Sequence, residues 1–202
     1  MSNFVGSFHH VSCPFFSGYG RDEVFPQDAD LSPVPHVPCT ALTIDHANQV
    51  WSIDISYIPM AHGFMYLTAI IDVYSRAIMA WGLHNSLDAE NSIEVLQLAI
   101  ESHGKPEIIN SDQGSQYTCP TWEKGCEEIR MSMDGRRRCL DNVWIERFWR
   151  TIKREYVYIN PTDNVKELRE GIKNYIEYYN TKRPHQGIEH QIPMTKYAKI
   201  AA

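Results

Sequence analysis

The order of apolar segments predicts an α/β fold in which a mixed sheet of five strands is flanked by helices. Three strand-like segments follow one another between residues 50 and 83, a segment with helical period covers 88–104, and short apolar strands then alternate with further helices. Because 43% of the 202 residues are hydrophobic, the chain can fill one main domain but hardly two independent cores.

The first predicted strand covers residues 50–57. Apolar and polar side chains alternate there, which is the period of a strand with one buried face. The apolar set is Trp51, Ile53, Ile55 and Tyr57. Asp54 belongs to the polar set, so we expect it on the opposite face of the strand.

Two further strands are predicted from nearly continuous apolar runs. One extends from Phe64 to Val73 and the other from Ala77 to Leu83, with a short polar break between them. Such runs are typical of buried strands. Together with the first strand they should form an antiparallel meander.

A helix and a fourth strand follow the meander. Asp88 is expected to cap the helix, and Gly104 with Pro106 just beyond it should end the helix. The short apolar segment 107–110 then leads to Asp112. In open α/β sheets, residues just past the C-terminal end of a strand commonly belong to the functional site.

Three more helices and a fifth strand complete the prediction. We expect a short helix at 120–129 and a brief strand at 131–133. A helix at 142–156 shows an apolar stripe, and a last helix at 165–179 must stop before Pro184, because proline cannot continue a helix. This order of elements is that of a ribonuclease-H-like core.

The chain is expected to divide into three segments. Residues 1–48 contain five prolines and no sustained period of 2 or 3.6, so they are predicted to be an irregular N-terminal arm or remnant. Residues 49–160 form the predicted core. Residues 161–202 are expected to be a helical extension that packs on this core.

The composition argues against membrane-spanning, exported and disulfide-rich classes of protein. No apolar run approaches the roughly 20 residues that a membrane span needs, and the first residues lack the pattern of an export signal. Five cysteines without a C-x-x-C pair fit neither a disulfide framework nor a thiolate zinc site. We therefore expect a soluble, cytoplasmic protein with reduced thiols.

The charged residues are unevenly distributed. The net charge of −6 argues against a protein that coats DNA through bulk electrostatics. Residues 130–154, however, hold eight basic side chains against three acidic ones. A basic segment thus surrounds the predicted helix at 142–156.

Three carboxylates lie in distinctive surroundings: Asp54 in WSIDISYI, Asp112 in NSDQGSQY and Glu146 in DNVWIERFWRTIK. Carboxylate oxygens can hold Mg²⁺ or Mn²⁺, the metals that phosphoryl-transfer enzymes use. Two such ions can activate the attacking oxygen and stabilise the leaving oxygen of an in-line displacement at phosphorus. Several carboxylates are needed to offset their charge.

The predicted helix at 142–156 combines an apolar stripe with a charged face. Glu146, Arg150 and Lys153 share that face at i, i+4 and i+7, and Arg147 flanks it. One helix could thus hold a metal ion and present cations to a phosphate backbone. From this helix alone, an ordinary surface pair of Glu146 and Arg150 remains an open alternative.

Five motifs follow one another over about residues 48–192: WSIDISYIPM, FMYLTAIIDVYSRAIMAWGL, IINSDQGSQYT, SMDGRRRCLDNVWIERFWRTIKREY and YIEYYNTKRPHQGI. Read together, they resemble the retroviral-integrase-type catalytic core of the IS3-like insertion-sequence transposases, in the DDE superfamily. The resemblance implies metal-dependent cleavage that frees a 3′-hydroxyl at an element end, and transfer of that hydroxyl into target DNA. It also implies a bacterial protein that works in the cytoplasm at the nucleoid.

The resemblance assigns the metal site to three residues. It implies Asp54, Asp112 and Glu146 as the catalytic residues and as ligands of two Mg²⁺ or Mn²⁺ ions. No small-molecule cofactor and no membrane are implied. A homo-oligomer is expected, because a transposase must hold two element ends at once.

The resemblance also suggests DNA contacts. Lys153, seven residues after the glutamate, is implied as a contact to the element-end DNA, with Gln116 and Asn142 as weaker candidates. Arg150 and Arg147, on the same helix as Lys153, are further candidates because they share or flank its charged face.

Two departures from the family pattern leave alternatives open. The interval between Asp112 and Glu146 holds 33 residues, slightly fewer than is usual, and residues 1–48 show no helix-turn-helix that would read element ends. One alternative is a catalytically impaired, truncated fragment that binds DNA or oligomerises with an intact copy. Another is a ribonuclease-H-like nuclease that cuts RNA–DNA hybrids.

Three other groups of charged residues have either a structural explanation or a role that the sequence does not decide. Asp72 is expected to be a hydrogen-bonded structural aspartate rather than part of the site, because buried carboxylates are usually paired. The arginine run at 136–138 fits either a solvated loop or a mobile DNA contact. Whether the basic residues at 182–185 touch DNA or close the fold is not decided by the sequence.

Overall fold

The structure, a computed structural model, describes residues 42–133 and 142–198. Residues 42–48 form neither helix nor strand. Most of the predicted N-terminal arm and the arginine run at 136–138 lie outside the described residues. The predicted boundaries of the three segments stay predictions.

One mixed sheet forms the centre of the molecule. Its strands are β1 (Val50–Pro59), β2 (Phe64–Asp72), β3 (Ile78–His84), β4 (Ile108–Ser111) and β5 (Arg130–Met133), in the order β3-β2-β1-β4-β5. β2 is antiparallel to both β1 and β3, whereas β4 is parallel to both β1 and β5. The predicted meander and the mixed five-stranded sheet are confirmed.

Helices flank the sheet, as predicted. They are α1 (Ala89–His103), α2 (Pro120–Gly125), α3 (Val143–Glu155), α4 (Val165–Thr181) and α5 (Pro193–Ala198). Short 3₁₀ turns occupy 157–159 and 186–188. No helix within the described ranges has the length and apolar character needed to cross a membrane.

Three details of the helices differ from prediction. α2 ends at Gly125, earlier than expected, where glycine disfavours a further helical turn. α5 was not predicted, since six residues beginning with a proline are too short to show a period. Asp88 does precede α1, but its side chain accepts a 2.5 Å hydrogen bond from Ser86 instead of capping the helix.

Two apolar clusters hold the helices on opposite faces of the sheet. On one face α1 and α2 pack through Trp51, Ile53, Ile70, Val95, Leu96 and Trp122. On the other face α3 and α4 pack through Ile58, Leu67, Ala69, Phe148, Ile152, Ile172 and Tyr179. Full burial of one large apolar side chain stabilises a fold by about 1.5–3 kcal/mol. Because α3 buries several such side chains, the cluster beneath it fixes the position of the helix on the sheet.

The central strand β1 is covered on both faces. Trp51 and Ile53 are buried as predicted, but Ser52 and Ser56 on the other face are buried as well. Tyr57, expected on the apolar face, is 54% exposed. The predicted one-sided pattern is therefore wrong, because β1 lies in the middle of the sheet between two layers of helices.

Asp72 at the end of β2 is a structural aspartate, as predicted. It is fully buried. Its carboxylate accepts hydrogen bonds from the backbone N–H groups of Asn48 and Ser75, at 2.9 and 2.7 Å, and from the Ser75 hydroxyl at 2.5 Å. These bonds fix the turn that joins β2 to β3.

Candidate active site

Asp54 and Asp112 are brought abreast by the parallel pairing of β1 and β4. In that pairing Ser52 lies opposite Asn110. Asp54 and Asp112 each follow two residues further along the chain, and side chains two residues apart on a strand point to the same face. Just past the end of β4, the Oδ1 of Asp112 accepts a 2.9 Å hydrogen bond from the N–H of Gly114.

The start of α3 is fastened to the same two strands. Asn142, which directly precedes α3, is only 5% exposed. Its Oδ1 accepts a hydrogen bond from the Ser52 hydroxyl on β1 and another from the Asn110 amide on β4, the latter at 3.4 Å. The helix therefore begins directly over the paired strands.

A second bond ties α3 to β1 further along the helix. The indole Nε1–H of Trp149 donates to Oδ2 of Asp54 at 2.8 Å. Glu146 lies between Asn142 and Trp149 in sequence, on an exposed part of the helix. Because α3 is attached on both sides of Glu146, this glutamate is held beside the two aspartates.

The surroundings of Asp54 raise its pKa from the ordinary 3.8 to about 6. Burial is the largest cause, since it penalises the charged form, and the charges of Asp112 and Glu146 raise the pKa further. The hydrogen bond from Trp149 acts in the opposite direction. The structure thus brings the three acids into one electrostatic neighbourhood.

A divalent cation suits the chemistry of this cluster. Carboxylate oxygens are the ligands that Mg²⁺ prefers, and a cation would favour the charged form of Asp54, which burial and, to a smaller extent, the charges of Asp112 and Glu146 disfavour. Among the described residues, however, no three His, Cys, Asp or Glu side chains form a ready metal-holding group. Asp54, Asp112 and Glu146 therefore do not form such a group in this structure.

Three predicted DNA contacts lie on α3 beside the acids. Burial lowers the pKa of Lys153, and the charge of Asp54 opposes that shift, which places the ammonium near the acidic cluster. Arg147 and Arg150 are exposed. Arg150 and Lys153 share the helix face of Glu146, whereas Arg147 is rotated by about 100° from it.

The two weaker DNA candidates behave differently. Asn142 is buried, and its Oδ1 accepts hydrogen bonds from both strands. A DNA contact by Asn142 stays a prediction. Gln116 is partly buried and folds over Gly114, where an added Cβ would lie 2.3 Å from its Nε2. A DNA contact by Gln116 stays a prediction.

Two residues that lie next to Asp54 were not singled out in the sequence. Trp149 falls within the apolar stripe of the helix predicted at 142–156, although an indole N–H on a helix that faces a polar strand position is a signal for a hydrogen bond. Tyr117 is fully buried, and its pKa is raised well above 10, first by burial and then by the charge of Asp54. Its hydroxyl therefore lies near that acid.

Comparison with known families identifies the family of this chain. Two family models, both described as integrase core domain, match residues 45–138 and 127–193. The chain is 35% identical over 151 residues to the transposase for insertion sequence element IS904 of Lactococcus lactis subsp. lactis strain IL1403, over 72% of this chain and 60% of that protein. It belongs to the integrase core family, among the IS3-like insertion-sequence transposases.

A second relative of this IS3-like chain comes from another bacterium. Transposase InsF for insertion sequence IS3A of Escherichia coli strain K12 is 31% identical over 143 residues, which is 68% of this chain and 50% of the relative. The chain thus spans between half and 60% of the length of these two curated relatives.

Solved structures show the fold of this transposase-family chain. The catalytic core domain of HTLV-2 integrase, solved in complex with magnesium, has a TM-score of 0.60 at 17% identity and matches 75% of this chain and 97% of that one. The catalytic core domain of BIV integrase has a TM-score of 0.61 at 15% identity, with 76% and 96% covered. The predicted ribonuclease-H-like core is therefore confirmed.

Proposed function

We propose that this chain is the catalytic core of a transposase that cleaves DNA at the ends of an insertion element and joins the freed 3′-hydroxyl to target DNA. The single observation that carries the proposal is the 2.8 Å hydrogen bond from Trp149 to Asp54, which attaches to β1 the helix that bears Glu146. The similarity to insertion-sequence transposases supports the choice of substrate.

The three acids would hold two Mg²⁺ or Mn²⁺ ions. When bound, such ions activate the attacking oxygen and stabilise the leaving oxygen at phosphorus. Burial raises the pKa of Asp54 most, and the charges of Asp112 and Glu146 raise it further; bound cations would favour its charged form. Water is the first nucleophile in this proposal and the 3′-hydroxyl of the element is the second, so no covalent enzyme intermediate is required.

The other residues of the site bind and orient. Trp149 directs one oxygen of Asp54 through its hydrogen bond, and Asn142 fixes the start of α3 over β1 and β4. Lys153 and Arg150 supply cations for phosphates next to the reacting one. Arg147 extends this cationic surface along α3.

The partners and location belong to the same proposal. Two element ends must be held at once, which a homo-oligomer of this chain would achieve. A protein acting on bacterial DNA in this way works in the cytoplasm, at the nucleoid. No small-molecule cofactor is required for the chemistry.

Strand transfer by the purified protein tests the proposal. Labelled element-end DNA is incubated with the protein, target DNA and Mn²⁺, and both 3′-end cleavage and joining are measured. Asp54→Asn should abolish both activities, whereas Asp45→Asn, the same change at an acid whose side chain is 71% exposed, should not. Activity that persists in Asp54→Asn would contradict the assignment.

The same assay separates the alternatives. Cleavage of an RNA–DNA hybrid without any joining of a 3′-hydroxyl would favour a nuclease. Absence of all chemistry, together with co-purification with an intact IS3-like transposase, would favour a catalytically impaired fragment.

A further inference from the structure

A cationic pocket opens beside the acidic cluster, on the neighbouring side of α3. Its volume is about 660 Å³, and four arginines line it: Arg76, Arg147, Arg150 and Arg183. None of the described residues in its lining is acidic. A concave surface of one charge sign concentrates ligands of the opposite sign, so this arginine pocket suits an anion.

Two of the arginines are held against one indole ring. The guanidinium carbon of Arg76 lies 3.3 Å from the ring centroid of Trp144, and that of Arg147 lies 4.8 Å away. Burial lowers the pKa of Arg76 to about 10, and the charge of Arg147 also lowers it. The buried Nε of Arg76 has no hydrogen-bond partner. Two like charges and an unused donor are thus gathered in one place, which an anion would stabilise.

The backbone at Arg76 is unusual for an arginine. Its φ is 66°, in the left-handed region that favours glycine. The turn is closed by a 2.8 Å hydrogen bond from the Arg76 N–H to the carbonyl oxygen of Asp72. Glycine would adopt this φ with less strain. The presence of arginine here therefore points to a role for its side chain.

The opposite wall comes from the segment after α4. Arg183 donates two hydrogen bonds to Glu155, at 2.9 and 2.6 Å, which joins this segment to the end of α3. The ring of His185 packs edge-on against Tyr179, with centroids 5.0 Å apart. Its buried Nε2 has no hydrogen-bond partner. The basic residues near 183–185 therefore both close the fold and line the pocket.

Helix geometry puts the pocket next to the proposed reaction site. Arg150 lies one turn after Glu146 and also lines the pocket, so the two sites occupy adjacent faces of α3. A helix with its side chains is about 10–12 Å across, or about three steps of a DNA strand at 3.4 Å each. A strand that reacts at the acids and crosses α3 would pass over the pocket.

We propose that the arginine pocket binds one backbone phosphate of DNA lying across α3, through Arg76 and Arg147 on one wall and the segment at 183–190 on the other. The inference rests on the proposed function only in taking DNA as the ligand. It requires no metal ion and no chemistry. The bound phosphate would set the path of the DNA strand relative to Asp54, Asp112 and Glu146.

The dependence of DNA affinity on salt tests the pocket. Binding of a fluorescein-labelled duplex of arbitrary sequence is measured by anisotropy in EDTA over a series of NaCl concentrations. Arg147→Gln should reduce the slope of log Kd against log [NaCl] by about 0.9, the value for one lost phosphate contact, and weaken binding by about tenfold at low salt. Arg130→Gln, the same change on edge strand β5, should leave the slope unchanged. Equal effects of the two substitutions would overturn the proposal.

A double variant tests whether both arginines hold the same phosphate. Arg76→Gln alone, confirmed as folded by its thermal melt, should also reduce the slope by about 0.9. Combined with Arg147→Gln it should cause little further loss, because only one phosphate is released. Losses that add would overturn the shared site.

The two proposals fail in different ways. If the pocket substitutions leave DNA affinity unchanged, the phosphate site is overturned and the proposed strand transfer is unaffected. If strand transfer is absent but DNA affinity depends on the pocket, the proposed function is overturned and the phosphate site stands.

Discussion

The indole of Trp149 on α3 donates a 2.8 Å hydrogen bond to the carboxylate of Asp54 on β1. Trp149 is 6% exposed and belongs to the apolar cluster beneath α3 and α4. One side chain therefore packs the helix onto the sheet and orients an acid of the candidate active site. The packing of the core and the electrostatics of the site are coupled at this residue.

Trp149→Phe should change the titration of Asp54. Phenylalanine keeps an aromatic ring but has no donor, and since the hydrogen bond lowers the pKa of Asp54, its loss should raise that pKa further. We expect the pKa of Asp54, followed by NMR of its carboxyl carbon in EDTA, to move up. Trp81→Phe, at an indole packed against the same cluster, is the control. Identical titrations of Asp54 in both variants would show that the bond does not tune its pKa.

Stability should depend on pH through Asp54. Its pKa is about 6 in the folded protein and near 3.8 in the unfolded chain, so the folded state binds more protons between these values. The free energy of unfolding should therefore fall as pH rises from about 4 to 6, by up to about 3 kcal/mol. Urea unfolding in EDTA at several pH values measures this. Asp54→Asn should remove this pH dependence of the free energy of unfolding and should be more stable than the unsubstituted protein at pH 8. An unchanged pH dependence in Asp54→Asn would contradict the prediction.

Divalent cations should stabilise the protein when Asp54 is charged. Binding at about 100 times the Kd adds about 2.7 kcal/mol, which for a chain of this length raises the Tm by roughly 5–10 °C. The increase should appear at pH 8 with Mg²⁺ or Mn²⁺, and EDTA should reverse it. Asp54→Asn should lose most of the increase while Asp45→Asn keeps it. Equal shifts in both variants would place the ion elsewhere.

Asn142→Ala should reduce stability without changing the phosphate contacts. The substitution leaves the buried Ser52 hydroxyl without its acceptor, which costs about 1–3 kcal/mol. Chemical denaturation measures the loss, and Ser52→Ala combined with Asn142→Ala should cost less than the sum of the two single variants. The salt slope of DNA binding should stay unchanged. A reduced slope would instead support Asn142 as a DNA contact.

Local pattern was enough to predict much of the fold. The long strands and α3 carry clear periods or apolar runs, and their positions follow from side-chain spacing alone. The end of α2 and the existence of α5 could not be predicted, because segments of six residues contain too few turns to show a period. The burial of both faces of β1 depends on its central place in the sheet, which no local pattern reveals.

The sequence by itself determined the candidate acids, since Asp54, Asp112 and Glu146 lie in recognisable motifs. Only the tertiary structure decided what surrounds them: the bond from Trp149, the burial of Asn142, and an arginine pocket built from a turn, a helix and a distant C-terminal segment. The physical reason is that periodicity fixes the face on which a side chain lies. Contacts between residues about a hundred positions apart depend on how those faces pack together.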